Sequence, residues 1–184
     1  RPALDPWGLP VSAASRRDST RLLAAALVDL SPRPAVLVSG SAVGIYGDRG
    51  DEELTEASAS GSGFLSEVCR TWEAATAPAE AAGVRVAHLR TSLVLDGRGG
   101  VLPRLALPFK LGLGGRLGTG RQWMSWITLA DEVAAIRFLL THDVAGPVNA
   151  AAPNPARNAD LAKALGRVLH RPAVVPVSRF GPRL

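Results

Sequence analysis

Two rhythms of apolar and polar positions alternate along this chain. Leu22, Leu23, Ala26, Leu27 and Leu30 recur at helical spacing and predict a helix that starts near Ser12 and stops at Ser31-Pro32 and Pro34. Directly after it, Ala35-Val36-Leu37-Val38 forms an unbroken apolar run that enters a Ser/Gly-rich turn. Such a run suits a strand over 35–39 buried on both faces, as inside a parallel sheet. Ser62 is placed to cap a second helix reaching about residue 82, with Phe64, Leu65, Val68, Trp72 and Ala75 on one face and Pro78 kinking or shortening it. Gly83 ends that helix, and residues 84–89 give the next strand. Strand, helix, strand in this order predicts a parallel pair joined by a right-handed crossover.

The remaining pattern continues the alternation. Residues 90–95 lead into a turn over 96–100; 101–111 form an apolar helix that Pro108 is expected to break; 112–120 are a glycine loop; and 123–127 make a short strand. Thr128 caps an apolar helix through Leu140, with Asp131 at the third helical position as in a capping box. Residues 147–150 read as a last central strand, 158–170 as an amphipathic helix and 173–177 as an extended tail. The acidic stretch 48–60, with Asp51, Glu52, Glu53 and Glu56, reads as a solvated surface loop. With no internal repeat and no long linker, one α/β domain over 1–184 is expected, its first eleven residues a loose arm and 12–177 folded.

Composition narrows the classes. The hydrophobic fraction of 47% with 20% charged residues is that of a soluble globular protein, and no apolar run approaches the roughly 20 residues of a membrane helix. One cysteine, Cys69, excludes an internal disulfide framework and fits a reducing cytoplasm. A net charge of +5 invites nucleic-acid binding, yet only two of the 21 basic residues are lysines, and the arginines are scattered without a dense run or interleaved aromatics. That distribution argues against a phosphate-tracking groove; a looser, arginine-driven affinity for acidic partners is the weaker alternative.

Candidate chemistry concentrates where the first strand ends. Small residues over 39–47 let a backbone approach a ligand and leave hydroxyls at the carboxyl end of a parallel strand, where open α/β sheets bind ligands; a plain tight turn is the competing reading. Gly112, Gly115 and Gly118 spell G-x-x-G-x-x-G, but no helix opens after them, so they read as a mobile loop rather than a pyrophosphate site. His88, His142 and His170 are far apart, with no Cys or carboxylate at ligand spacing, so no metal is expected. Ser39-Gly40-Ser41 lacks the first glycine of a nucleophile elbow.

The motifs Ser-Gly-Ser-Ala-Val-Gly-Ile-Tyr-Gly at 39–47, Phe64-Leu65 with Val68-Cys69 and Trp72-Glu73, Leu89-Arg90-Thr91 with Val94-Leu95, and Gly-Arg-Gln-Trp-Met-Ser-Trp-Ile at 120–127 occur in that order. Together they resemble the atypical, epimerase-like branch of the extended short-chain dehydrogenase/reductase superfamily, the NAD(P)-dependent epimerase/dehydratase relatives of the SulA-like type. The resemblance spans about residues 15–176 and implies a Rossmann-like parallel sheet flanked by helices, an NADP or NAD cofactor and a small carbonyl or sugar-like substrate. It places Ser41 at the active-site serine, Ser39 and Gly40 along the nicotinamide ribose, and Arg90, Thr91, Ser92 and Leu93 around the nicotinamide amide. Gln122, Trp123, Ser125 and Trp126 fall in a substrate-side loop, with core packing the competing reading for the tryptophans.

The chain departs from that pattern in two ways. Superfamily catalysis uses a Tyr-x-x-x-Lys pair whose lysine lowers the tyrosine pKa. Here the one tyrosine, Tyr46, has Gly50 four residues on, and Lys110 and Lys163 follow Ala106 and Ala159, so no such pair exists. The aligned helix positions are Leu65 and Cys69, and Thr128 and Ala130 stand where the branch tends to carry His and Asp. Tyr46 is the remaining candidate acid, with packing at the end of the strand the competing and simpler reading. Secondly, no glycine cluster precedes Ala35, so the amino-terminal nucleotide-binding strands are expected to be missing and the small carboxyl-terminal domain cut short. A non-catalytic nucleotide-binding or scaffolding module is therefore the alternative to an oxidoreductase.

Overall fold

The computed structural model describes residues 13–175; the expected amino-terminal arm and the end of the extended tail lie outside them. In chain order the elements are α1 (Ala13–Val28), β1 (Val36–Ala42), a 3₁₀ turn (Val43–Tyr46), α2 (Phe64–Ala74), α3 (Ala77–Ala81), β2 (Arg85–Thr91), β3 (Leu93–Asp96), β4 (Gly99–Gly100), α4 (Val101–Lys110), β5 (Trp123–Met124), β6 (Trp126–Thr128), α5 (Leu129–Thr141), β7 (Gly146–Ala150), β8 (Ala156–Arg157) and α6 (Asn158–Leu169). They group into two compact units, the first holding the described residues through Ser92 with Val133–Ala150, the second Leu93–Glu132 with the residues from Ala151 onward.

The first unit is built on a parallel sheet in the order β1-β2-β7. The β1–β2 register sets Ser41 beside Arg90 and Ala42 beside Thr91, and the β2–β7 register sets Arg90 beside Asn149. The strand, helix and strand of the sequence are thus a parallel pair as expected. β1 runs three residues beyond Ser39, because small residues continue the ladder where larger ones would crowd α2. Gly40 shows this directly: a Cβ there would sit 2.9 Å from the Trp72 ring. Trp72 is fixed in turn by donating its Nε1 hydrogen to Thr20 Oγ1 on α1 at 2.9 Å. Helices α1 to α3 pack with β1 and β2 over a core of Ala24, Ala79, Val84 and Val86 with Leu37 against it. Ile45, Tyr46 and Cys69 form a second cluster.

Three local readings are corrected. Ser62 does not cap α2: Gly63 precedes the helix with no side-chain cap, and the Ser62 carbonyl instead accepts from Ser66 Oγ at 3.2 Å. The single helix reaching about residue 82 is divided: α2 ends at Ala74, shortened rather than kinked, and Pro78 lies in the first turn of a separate α3, which suits a residue whose missing N–H goes unused there. Pro108 lies inside α4 without ending it until Lys110, since the helix stops within one turn of the proline.

His88, on β2, stands under α3 with Nε2 2.9 Å from Thr76 Oγ1, and burial pushes its pKa below the ordinary 6.5. The unfolded chain therefore takes up this proton first as pH falls. The stability that depends on a neutral His88 is complete above pH 6.5 and declines below it. Urea midpoints measured at pH 7.5 and 5.5 should differ in the native chain, and the difference should shrink in His88→Gln.

The second unit contains a small sheet in the order β4-β3-β6, a β5–β8 antiparallel ladder, α4 and α6. The expected strand 123–127 is divided at Ser125, whose carbonyl accepts from Leu93 N at 3.1 Å. Its two halves pair with different partners, β8 and β3. Thr128 caps α5 as expected: its Oγ1 accepts from Asp131 N at 3.0 Å and donates to Asp131 Oδ2 at 2.8 Å. Gly114 and Gly115 of the glycine loop are packing residues. Cβ atoms there would lie 2.2 Å from the Phe109 ring and 1.6 Å from the Val175 carbonyl oxygen, and Val175 N donates to the Gly114 carbonyl at 3.1 Å.

Candidate functional site

The carboxyl ends of β1, β2 and β7 bring one chain of polar side chains together. Ser41 Oγ lies 2.6 Å from Glu73 Oε1 on α2. Arg90 on β2 grips the same carboxylate with two parallel hydrogen bonds, Nε to Oε1 at 2.9 Å and Nη2 to Oε2 at 3.0 Å. Its Nη1 donates to the Tyr46 hydroxyl at 2.9 Å, and that hydroxyl lies 2.7 Å from Asn149 Oδ1 on β7. Ser41 is 4% exposed and Tyr46 3%.

Two members fix where every hydrogen goes. A guanidinium only donates and an ionised carboxylate only accepts. Burial pushes the Glu73 pKa up, but the hydrogen bonds from Arg90 and Ser41 outweigh it and hold the carboxyl below its usual range. The hydrogen bond to Glu73 raises Arg90 above the ordinary arginine value. Ser41 therefore gives its hydrogen to Glu73. Tyr46 accepts from Arg90 and gives its own hydrogen to Asn149. The arginine is also 5.2 Å from the centre of the Tyr46 ring. Burial raises the neighbouring Cys69 thiol, which keeps it protonated.

The other expected residues divide between the units. In the first, Ser39 is buried with its hydroxyl 3.4 Å from the Gly40 carbonyl, while Gly40 leaves room for Trp72. Thr91 ends β2 opposite Ala42 and Ala150, and Ser92 binds the Ala150 carbonyl with both its amide (3.1 Å) and its hydroxyl (2.7 Å). In the second, Leu93 pairs with Trp126, whose Nε1 donates to the Asn154 carbonyl at 3.0 Å. Gln122 Nε2 donates to the Leu117 carbonyl at 3.1 Å, and Trp123, 45% exposed, carries the Arg157 guanidinium 4.1 Å from its ring centre. Trp126 is thus tied to the backbone, whereas Trp123 presents an aromatic surface beside a cation.

Glu73 and Asn149 are the members that sequence reasoning did not assign. Glu73 was visible as part of the Trp72-Glu73 motif, and it lies one helical turn beyond buried Cys69. Asn149 becomes a partner only through the β2–β7 register. Among the described residues, no group of three or more His, Cys, Asp or Glu could hold a metal ion, and no helix is long and apolar enough to cross a membrane.

No protein-family model matches the sequence. The epimerase family protein Mb2239 of Mycobacterium bovis is 45% identical over 159 residues, which are 86% of this chain and 52% of that protein. The crystal structure of a nucleoside-diphosphate sugar epimerase from Corynebacterium glutamicum superposes with a TM-score of 0.76 at 45% identity, covering 88% of this chain and 36% of that one. The human epimerase family protein SDR39U1, solved with NADPH, gives a TM-score of 0.82 at 32% identity over 90% of this chain and 57% of that one. Over most of its length the chain is thus similar to proteins of the epimerase family. It spans about half the length of the curated relatives it matches, and its parallel sheet flanked by helices is Rossmann-like, as the motifs implied.

Proposed function

We propose that this chain is the substrate-side part of an NADP(H)- or NAD(H)-dependent oxidoreductase acting on a carbonyl or sugar-like small molecule in a reducing, cytoplasm-like compartment, with no nucleic-acid role. The observation that carries the reading is the likeness, over nine-tenths of the chain, to a human relative solved with NADPH. The residues fit the nicotinamide end of such a cofactor. Ser39 and Gly40 lie near the carboxyl end of β1, and on its parallel neighbour Thr91 ends β2 with Ser92 and Leu93 directly after it, the place where open α/β sheets take ligands. The sequence ahead of Ala35 holds one glycine, Gly8, and offers no glycine-rich phosphate cradle. When bound, the nicotinamide would accept or deliver the hydride. Ser41 would orient the substrate oxygen by turning its hydrogen from Glu73 onto it, while Gln122, Trp123, Ser125 and Trp126 would supply substrate contacts.

A second reading, cofactor binding without turnover, is favoured by one observation: the Tyr46 hydrogen is already given to Asn149, and no Tyr-x-x-x-Lys pair replaces it. NADPH and NADH titrations followed by the fluorescence of the four tryptophans should show saturable quenching. The absence of any saturable signal would reject both readings. Loss of reduced-nicotinamide absorbance with a panel of small aldehydes and ketones supports turnover, and that loss should drop at least about a hundredfold in Ser41→Ala if Ser41 orients the reacting oxygen. Quenching without hydride transfer to any carbonyl leaves the binding module.

A further inference from the structure

The end of α6 carries a feature that the nicotinamide reading leaves unused. Lys163, Gly166, Arg167, His170, Arg171 and Ala173 line a shallow, open depression on the surface, its four basic side chains all exposed. Lys163, Arg167, His170 and Arg171 are spaced four, three and one residues apart, which brings their side chains round the end of a single helix. Lys163 lies 3.4 Å from Asp160, but among the described residues no carboxylate is within ion-pair distance of Arg167, His170 or Arg171.

The backbone is shaped to make this convergence. His170 ends α6 in the left-handed conformation, φ 52°, where glycine is the usual residue. The chain then turns back, and Arg171 N donates to the Gly166 carbonyl at 2.9 Å. A Cβ at Gly166 would lie 2.8 Å from the Arg171 carbonyl oxygen and 3.0 Å from Ala173 Cβ, so the return depends on a glycine in the helix. At its far end the returning segment is pinned by the bond from Val175 N to Gly114. The rim bearing Arg171 is therefore held at both ends. Cations near a helix carboxyl terminus are favoured by the helix dipole, which accounts for Arg167 and His170 singly. It does not account for four basic side chains around one depression with a fixed rim.

We propose that this basic surface depression binds the diphosphate or polyphosphate group of a small molecule. Three fixed positive charges, from Lys163, Arg167 and Arg171, exceed what one carboxylate would balance and match the charge of a phosphoanhydride, with guanidinium forks suited to its oxygens. No Phe, Tyr or Trp lines the depression, and the single imidazole of His170 would not stack successive bases, so a nucleic-acid strand is the less suited occupant.

The test is isothermal titration of the chain at low salt with inorganic pyrophosphate, ADP and a single-stranded oligo(dT). Pyrophosphate should bind saturably at one site below about 10 mM. Arg167→Gln and Arg171→Gln should each weaken it about tenfold, while Arg98→Gln, which removes equal charge at a different surface position, should leave it unchanged. ADP binding more tightly than pyrophosphate identifies a nucleotide as the source of the phosphates, and equal affinities identify the phosphoanhydride alone; both support the site. Absence of saturation, equal weakening by Arg98→Gln, or oligo(dT) binding far more tightly than pyrophosphate would overturn it. All three substitutions are at exposed positions, and unchanged melting temperatures would confirm the fold. NADPH quenching that persists in the Arg167→Gln/Arg171→Gln double variant keeps this site separate from the proposed nicotinamide site, so either can fail alone.

Discussion

Glu73→Ala should destabilise the chain by about 3–5 kcal/mol, seen as a fall in the urea midpoint with the slope unchanged. The size follows from what is left behind. Glu73 and Arg90 are 14% and 9% exposed at their side chains, and removing the carboxylate strands a guanidinium with no other anion in contact among the described residues. The Ser41 hydroxyl loses its acceptor at the same time. Replacing both charges, as in Glu73→Gln/Arg90→Gln, should cost clearly less than Glu73→Ala, because no unpaired charge then remains buried. A double variant as unstable as the single one would show that the two residues act by shape rather than by charge. The same carboxylate gives acid sensitivity. Its pKa is below the ordinary 4.5, so its contribution is intact above that pH and is lost as pH falls through the folded value.

Gly61→Ala should cost at least about 2 kcal/mol, although residue 61 lies in a stretch of low apolar content. A Cβ at position 61 would fall 2.0 Å from the Tyr46 carbonyl oxygen and 2.6 Å from its carbon, and Gly61 N donates to the Ile45 carbonyl at 2.9 Å. These neighbours are backbone, so the strain cannot be relieved by turning a side chain. Separating the two segments would move Tyr46 away from both Arg90 and Asn149. Thermal unfolding of Gly61→Ala checks this, with Gly50→Ala for comparison: position 50 has open space but a left-handed backbone, so its loss should be smaller. Equal melting temperatures for Gly61→Ala and the native chain would contradict the packing.

The elements were legible wherever one local signal dominated. The apolar run before Ser39, the Thr128–Asp131 cap and the helical spacing from Asn158 each name their structure without outside help. Boundaries failed where a distant partner decides them. Gly40 and Ser41 extend β1 because β2 pairs with them and Trp72 needs the space, and Trp123 and Trp126 separate because their strands face different neighbours. Of the site, Ser41, Tyr46 and Arg90 could be named from the motifs that carry the family resemblance. What they do to one another could not, since Glu73 and Asn149 join them through helix packing and strand register. The glycine loop shows the converse: it read as mobile, and two of its glycines, Gly114 and Gly115, are packed against Phe109 and Val175.

The acidic loop read as solvated also has a contact whose effect reaches the whole sheet. Glu56 Oε1 accepts from Asn149 N at 2.8 Å, occupying a main-chain donor of β7 that β2 does not use. A carboxylate stationed there closes that margin to an incoming strand, by hydrogen bonding and by charge. A strand joining β7 on that side would first have to displace Glu56 from Asn149 N, so a residue of the acidic loop competes with any extension of the sheet there.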